Sequence, residues 1–103
     1  MAQRNIVWTT TAVAQRRIIL KYWTKRNGST KYAEKLIKLI SKHTSIIAKF
    51  PDSFKSTNFP GTRISSLGYY SILYKYNQEN IIVTAFWDNR QDPKKLLKDL
   101  KTE

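Results

Sequence analysis

A chain of 103 residues without cysteine fits a single domain, residues 1–103, and can use neither disulfides nor thiol chemistry. Its 19 Lys and Arg against 7 Asp and Glu give a formal charge of +12, a field that attracts nucleic acid, ribosomes, anionic membrane or an acidic protein. No apolar run reaches the length of a membrane span, and Ile6-Val7-Trp8 is too short for a signal-peptide core, so the expectation is a soluble cytoplasmic protein that does not associate with membrane.

The charge is uneven. Residues 1–51 hold eleven basic residues and one acid, Glu34, whereas residues 52–103 hold eight and six. In chain order, Asn5 to Thr9 reads as a short strand. Thr10 or Thr11 can cap a helix over Ala12 to Arg26, with Ala12, Ile19 and Trp23 on one face and Arg16 intruding on it. Arg17, Lys21 and Lys25 share a basic face of that helix, and Asn27-Gly28 ends it. Ser29 or Thr30 opens a second helix, in which Ala33, Leu36, Ile37, Ile40, Thr44 and Ile47 form an apolar stripe. So short a link predicts an antiparallel helical hairpin. The lone His43 lies beside the stripe with no second His, no Cys and few acids near it in sequence. A boundary histidine fits better than a metal ligand.

Pro51 closes the helical part, and Asp52 to Pro60 reads as a loop held to the core by Phe50, Phe54 and Phe59. Thr62 to Ser66 is the next strand. Tyr69 to Tyr76 alternates, with Tyr70, Ile72, Tyr74 and Tyr76 on one face and Tyr69, Ser71, Leu73 and Lys75 on the other. Asn77 to Asn80 is a turn, and Ile81 to Trp87, rich in β-branched and aromatic residues, is the return strand. Asp92-Pro93 then caps a short C-terminal helix, Lys94 to Lys101, with Leu96, Leu97 and Leu100 as its apolar side. The sum is an α+β fold: an N-terminal strand and a two-helix hairpin packed on a mostly antiparallel sheet of about four strands, then a short terminal helix.

Glycine-rich phosphate loops, His-Glu-x-x-His and Gly-x-Ser-x-Gly are all missing from the sequence, so no cofactor or metal is expected and the common hydrolase templates fail. Basic and aromatic residues remain: Arg63, Tyr70, Tyr74, Trp87 and Arg90 come from the sheet and its exit. RNA cleavage needs a base, a cation on the phosphate and an acid, so this face could be a ribonuclease site, an RNA-stacking platform, or plain sheet packing. The Asp88-Asn89-Arg90 turn has two readings as well. Arg90 either braces the turn through Asp88 or Asp92, or projects to bind a phosphate or carboxylate on a partner.

The chain resembles the RelE/ParE superfamily, toxins of type II toxin–antitoxin modules. The resemblance rests on Gly68-Tyr69-Tyr70-Ser71-Ile72-Leu73-Tyr74, and on Ile81-Ile82-Val83-Thr84-Ala85-Phe86-Trp87-Asp88-Asn89-Arg90-Gln91-Asp92-Pro93 with Leu96. Val7-Trp8, Ala12, Tyr22-Trp23, Tyr32-Ala33 and Pro51 support it. It implies a basic toxin that inhibits growth, forms a hetero-oligomer with a cognate acidic antitoxin and serves in plasmid stabilisation. Two activities occur in the superfamily: RelE-like members cut mRNA on the ribosome, and ParE-like members poison DNA gyrase. RelE-like nucleases carry an Arg after the Gly-Tyr of the middle strand, where this chain has Ser71. Their basic preceding strand is reduced to Arg63, and their terminal Arg or His has Arg90 as its nearest match. A Tyr or His in the terminal helix is replaced by Lys94 and Lys95. The resemblance therefore implies a ParE-like protein acting by binding, with Arg17, Lys21, Lys25, Tyr70, Trp87, Asp88, Asn89 and Arg90 as candidates for target or antitoxin contact. The alternatives are a ribosome-dependent endoribonuclease using Arg63 and Arg90, and a non-toxic basic module for nucleic acid.

Overall fold

A computed structural model describes residues 4–91 and Lys94. Strand β1 (Asn5–Trp8) leads into helix α1 (Thr10–Asn27) and helix α2 (Lys31–Lys49). A single 3-10 turn (Pro51–Ser53) then precedes strands β2 (Lys55–Ser56), β3 (Arg63–Leu67), β4 (Tyr70–Tyr76) and β5 (Asn80–Asp88). The strands form one sheet in the order β1-β5-β4-β3-β2, with β1 parallel to β5 and every other pair antiparallel. The α+β class and the strand–helical hairpin–sheet order stand as expected. The expected Asp92-Pro93 cap and terminal helix lie outside the described residues, Lys94 excepted.

The sheet has five strands where the sequence suggested four. The extra one, Lys55–Ser56, pairs with Ile64 and Arg63. The first helix is capped by Thr9, whose Oγ1 accepts from the Ala12 amide, and not by Thr10 or Thr11, which lie inside the helix. Thr9 is the residue still in extended conformation, φ −67° and ψ 162°, as an N-cap requires. Gly28, at φ 63°, ends α1 in the left-handed conformation.

One face of β4 and β5 packs on the helices. Tyr70, Ile72, Tyr74, Ile81, Val83 and Phe86 are buried against Ala12, Ile19, Leu36, Ile40 and Ile47. Burying a side chain such as Phe86 completely stabilises the fold by roughly 1.5–3 kcal/mol relative to leaving it in water. Ser71, Leu73, Ala85 and Trp87 alternate onto the opposite face and are buried too. The stripe on α2 is narrower than the periodicity suggested: Ile37 is half-exposed, and Ala48 takes a place in the core. Phe50, expected to tuck inward, is exposed, whereas Phe54 packs edge-on against Tyr74.

Gln15 was not recognisable as a core residue. Strand β1 pairs with β5 only as far as Trp8 and Val83, because the chain then turns into α1. The edge of β5 beyond that point needs another partner. The Thr9 hydroxyl donates to the Thr84 carbonyl, and the buried Gln15 Oε1 accepts from the Phe86 amide at 2.9 Å. Helix α1 thereby completes the edge that β1 leaves open. Next to this edge the register shifts, Leu73 facing Ala85 and Tyr74 facing Val83, so Thr84 is the extra residue of a β-bulge.

Candidate functional site

The end of the β4–β5 hairpin where Tyr70 pairs with Asp88 also receives the β3–β4 turn and the last turns of α1. Gly68 and Tyr69 form the two-residue turn between Leu67 and Tyr70. Gly68 has φ 60° and Tyr69 has no positive φ, the pattern of a type II′ hairpin turn. Tyr69 is left 66% exposed at its tip. The Tyr69 carbonyl accepts from the Asn89 amide at 2.8 Å, and the Ser71 hydroxyl donates to Asn89 Oδ1 at 2.7 Å. These bonds fix the chain as it leaves β5.

Asp88 clamps Arg90. Its Oδ1 accepts from the Arg90 amide and from Nε, both at 2.9 Å, and its Oδ2 accepts from Nη2 at 2.8 Å. The hydrogen bonds from Arg90 hold the Asp88 carboxyl below its ordinary pKa. The guanidinium thus oriented lies 4.7 Å from the ring centre of Tyr69 and 5.7 Å from that of Trp23, within cation–π range. Nearly half of the Arg90 side chain stays in solvent, and its Nη1 makes no hydrogen bond among the described residues. The bracing reading of the turn therefore holds for Asp88, and the brace leaves part of the guanidinium exposed.

Helix α1 supplies the opposite wall. Trp23 donates through Nε1 to the Tyr70 hydroxyl at 2.9 Å, and Tyr70 stacks on Phe86. Arg26 donates to the Tyr22 hydroxyl at 3.2 Å and lies 5.9 Å from the Trp23 ring centre. Ile18, Tyr22, Trp23, Arg26, Asp88 and Arg90 line an open cleft of about 490 Å³. Tyr22, Trp23, Arg26 and Tyr69 were not candidate site residues in the sequence. The available signal was their spacing on α1, where Ile18, Tyr22 and Arg26 recur every four residues and the first two remain exposed.

The other candidates lie apart. Trp87 is buried on the opposite face of the sheet. Tyr70 is buried beneath the cleft, where burial above all, with hydrogen bonding from Tyr32 next, pushes its phenol up to about 12. Burial likewise pushes Tyr74 up to about 12, and its hydroxyl donates to the Pro51 carbonyl at 2.6 Å. Arg63 pairs in register with Tyr74, and Asp88 with Tyr70, so four residues of strand, about 13 Å, separate Arg63 from the Arg90 end of the sheet. Its Nη1 donates to the carbonyls of Phe54 and Asp52. Arg17, Lys21 and Lys25, with Arg16, surround Val13 and Leu20 in an open groove of about 560 Å³ on α1. Arg16 lies over the Trp8 ring at 4.2 Å, and burial lowers its pKa. His43 hydrogen-bonds the buried Ser65 hydroxyl, and burial lowers its pKa. No group of three or more potential metal ligands occurs among the described residues.

Comparison with known proteins bears on the fold and the family. No protein of curated function matches the sequence. A solved structure described as the chromosomal ParDE TA system from P. aeruginosa is similar in fold, with a TM-score of 0.70 at 17% identity, covering 82% of this chain and 94% of that one. The sequence model described as the ParE toxin of the type II toxin–antitoxin system parDE matches residues 6–93, from β1 through the hairpin exit. The chain belongs to the ParE toxin family of type II toxin–antitoxin systems.

Proposed function

We propose that this toxin acts in the cytoplasm by binding a macromolecular target, DNA gyrase, and not by cutting RNA, and that a cognate acidic antitoxin neutralises it in a hetero-oligomer. The supporting observation is the state of the three positions at which a RelE-type site would stand. Ser71 is buried and engaged by Asn89, Arg63 is engaged by backbone carbonyls, and Arg90 is held by Asp88 at the other end of the sheet. In-line cleavage requires an acid, a base and a cation around one phosphate. A guanidinium stays protonated at neutral pH and cannot serve as the base, and the phenols of Tyr70 and Tyr74, raised to about 12, keep their protons.

The antitoxin reading draws on charge and exposed apolar surface. The α1 groove has an apolar floor and a rim of four cations, while Ile37, Leu39 and Ile46 are exposed on α2. An acidic segment with apolar anchors is complementary to these faces, and the outer edges of β1 and β2 offer strand addition.

Induced expression in bacteria, read in parallel for DNA damage and mRNA integrity, tests the proposal. It expects cleaved DNA and a damage response while bulk mRNA stays intact. Rapid cutting within translated codons would replace the gyrase reading by the ribonuclease one.

A further inference from the structure

The cleft between α1 and the hairpin exit has a composition that protein–protein docking does not require. Two guanidiniums, Arg26 and Arg90, each lie over an aromatic ring. Tyr69, which carries Arg90 over its ring, is still 66% exposed, and Tyr22, edge-on to Trp23, is 53% exposed. Asp88 is the one carboxylate lining the cleft among the described residues, and Arg90 occupies both its oxygens. Arg26 has no carboxylate partner among the described residues, so the cleft is net positive in a chain of charge +12. At about 490 Å³ it falls in the size range of small-ligand sites.

We propose that this cleft binds an unpaired nucleotide of a single-stranded nucleic acid, its base stacked on the exposed tyrosine rings and its phosphate held by Arg26 and the free edge of Arg90. An acidic peptide would satisfy the guanidiniums but would leave the tyrosine faces without a flat partner. A base offers a π-face whatever its identity, and exposed aromatics beside cations are how single strands are held without sequence preference. A duplex keeps its bases stacked internally and cannot use the rings. The inference goes beyond the proposed protein target and does not depend on it, since it concerns a ligand that the purified toxin binds alone.

Anisotropy of a labelled short oligo-dT, set against an abasic oligomer of equal length and charge and against a duplex, tests it at constant salt. Removing a stacked base costs about 1–3 kcal/mol, so oligo-dT should bind roughly five- to hundredfold more tightly than the abasic strand, and more tightly than the duplex. Replacing both tyrosines, Tyr22→Ala with Tyr69→Ala, should abolish that preference, bringing base-bearing and abasic strands to equal affinity. Arg26→Gln should weaken both single strands. Equal affinity for the base-bearing and abasic strands, or tighter binding of duplex, would overturn the proposal and leave a general polyanion patch. The comparison of ligands on the unaltered protein needs no variant to fold. For the variants, an unchanged circular dichroism spectrum is the control.

Discussion

Arg63 and Arg90 carry the same group and do different things because of what surrounds them. Arg63 ties the loop after α2 to β3 through the carbonyls of Asp52 and Phe54. Arg90 is turned outward by a carboxylate two residues before it. Tyr74 does for the sheet centre what Arg63 does for its margin: fully buried, it donates to the Pro51 carbonyl and anchors the chain as it leaves the helices. Tyr74→Phe leaves that carbonyl unsatisfied and should destabilise the fold by about 1–3 kcal/mol, read as a lowered urea midpoint with an unchanged slope. Buried titrating groups set the pH response. His43 has a pKa below the ordinary 6.5, so the unfolded chain binds its proton first. Its contribution to stability is complete above about pH 6.5 and is lost as pH falls through the folded value. The tyrosines act in the opposite sense. Their protonated forms are favoured by burial, so their contribution is complete below pH 10 and is lost as pH rises through about 12. Urea midpoints measured across pH should fall at both limits, and His43→Gln should flatten only the part of the acid limb just below pH 6.5, leaving the part below pH 3.8 that the lowered pKa of Asp88 supplies.

Among the elements, legibility followed how far local pattern agrees with tertiary role. The spacing of Leu36, Ile40, Thr44 and Ile47 placed α2, and alternation placed Tyr70, Ile72 and Tyr74 on one face of β4, because α2 buries one stripe and β4 turns every second residue toward the helices. Helix α1 was harder. Its buried Gln15 looks polar in sequence, and its task, satisfying the Phe86 amide, exists only once β1 stops short of the end of β5. Strand β2 has two exposed residues and no apolar signal, so it is a strand only by virtue of lying beside β3. The hairpin exit was readable through Asp88, Asn89 and Arg90. Tyr22, Trp23 and Arg26 were not, because packing of α1 on β5 brings them there. The type II′ turn at Gly68-Tyr69 makes the cleft's geometry a property of the element. Gly68→Ala forces a side chain into left-handed backbone and should cost about 1–2 kcal/mol, lowering the melting temperature by roughly 5–10 °C. An unchanged melting temperature would mean that the turn relaxes freely.

At the scale of the molecule, charge and topology divide the work. The sheet is five strands wide and its two edges are unequal, β1 packed against α2 and β2 only two residues long. Four unopposed cations sit on α1 at one surface, and a clamped arginine sits among aromatics at the hairpin exit. The Arg90–Asp88 contact neutralises one of the cations, and the excess of 19 basic over 7 acidic residues leaves a positive field for steering toward an acidic partner. No described helix is long and apolar enough to cross a membrane. Such a surface is suited to the proposed inhibition by binding. The direct measurement is a supercoiling and cleavage assay with purified toxin, purified gyrase and closed circular plasmid, alongside a reconstituted translation reaction. Inhibited supercoiling with linear DNA accumulating, weakened by Arg90→Ala, and intact mRNA are expected; undisturbed supercoiling together with mRNA cut on the ribosome would contradict binding to gyrase.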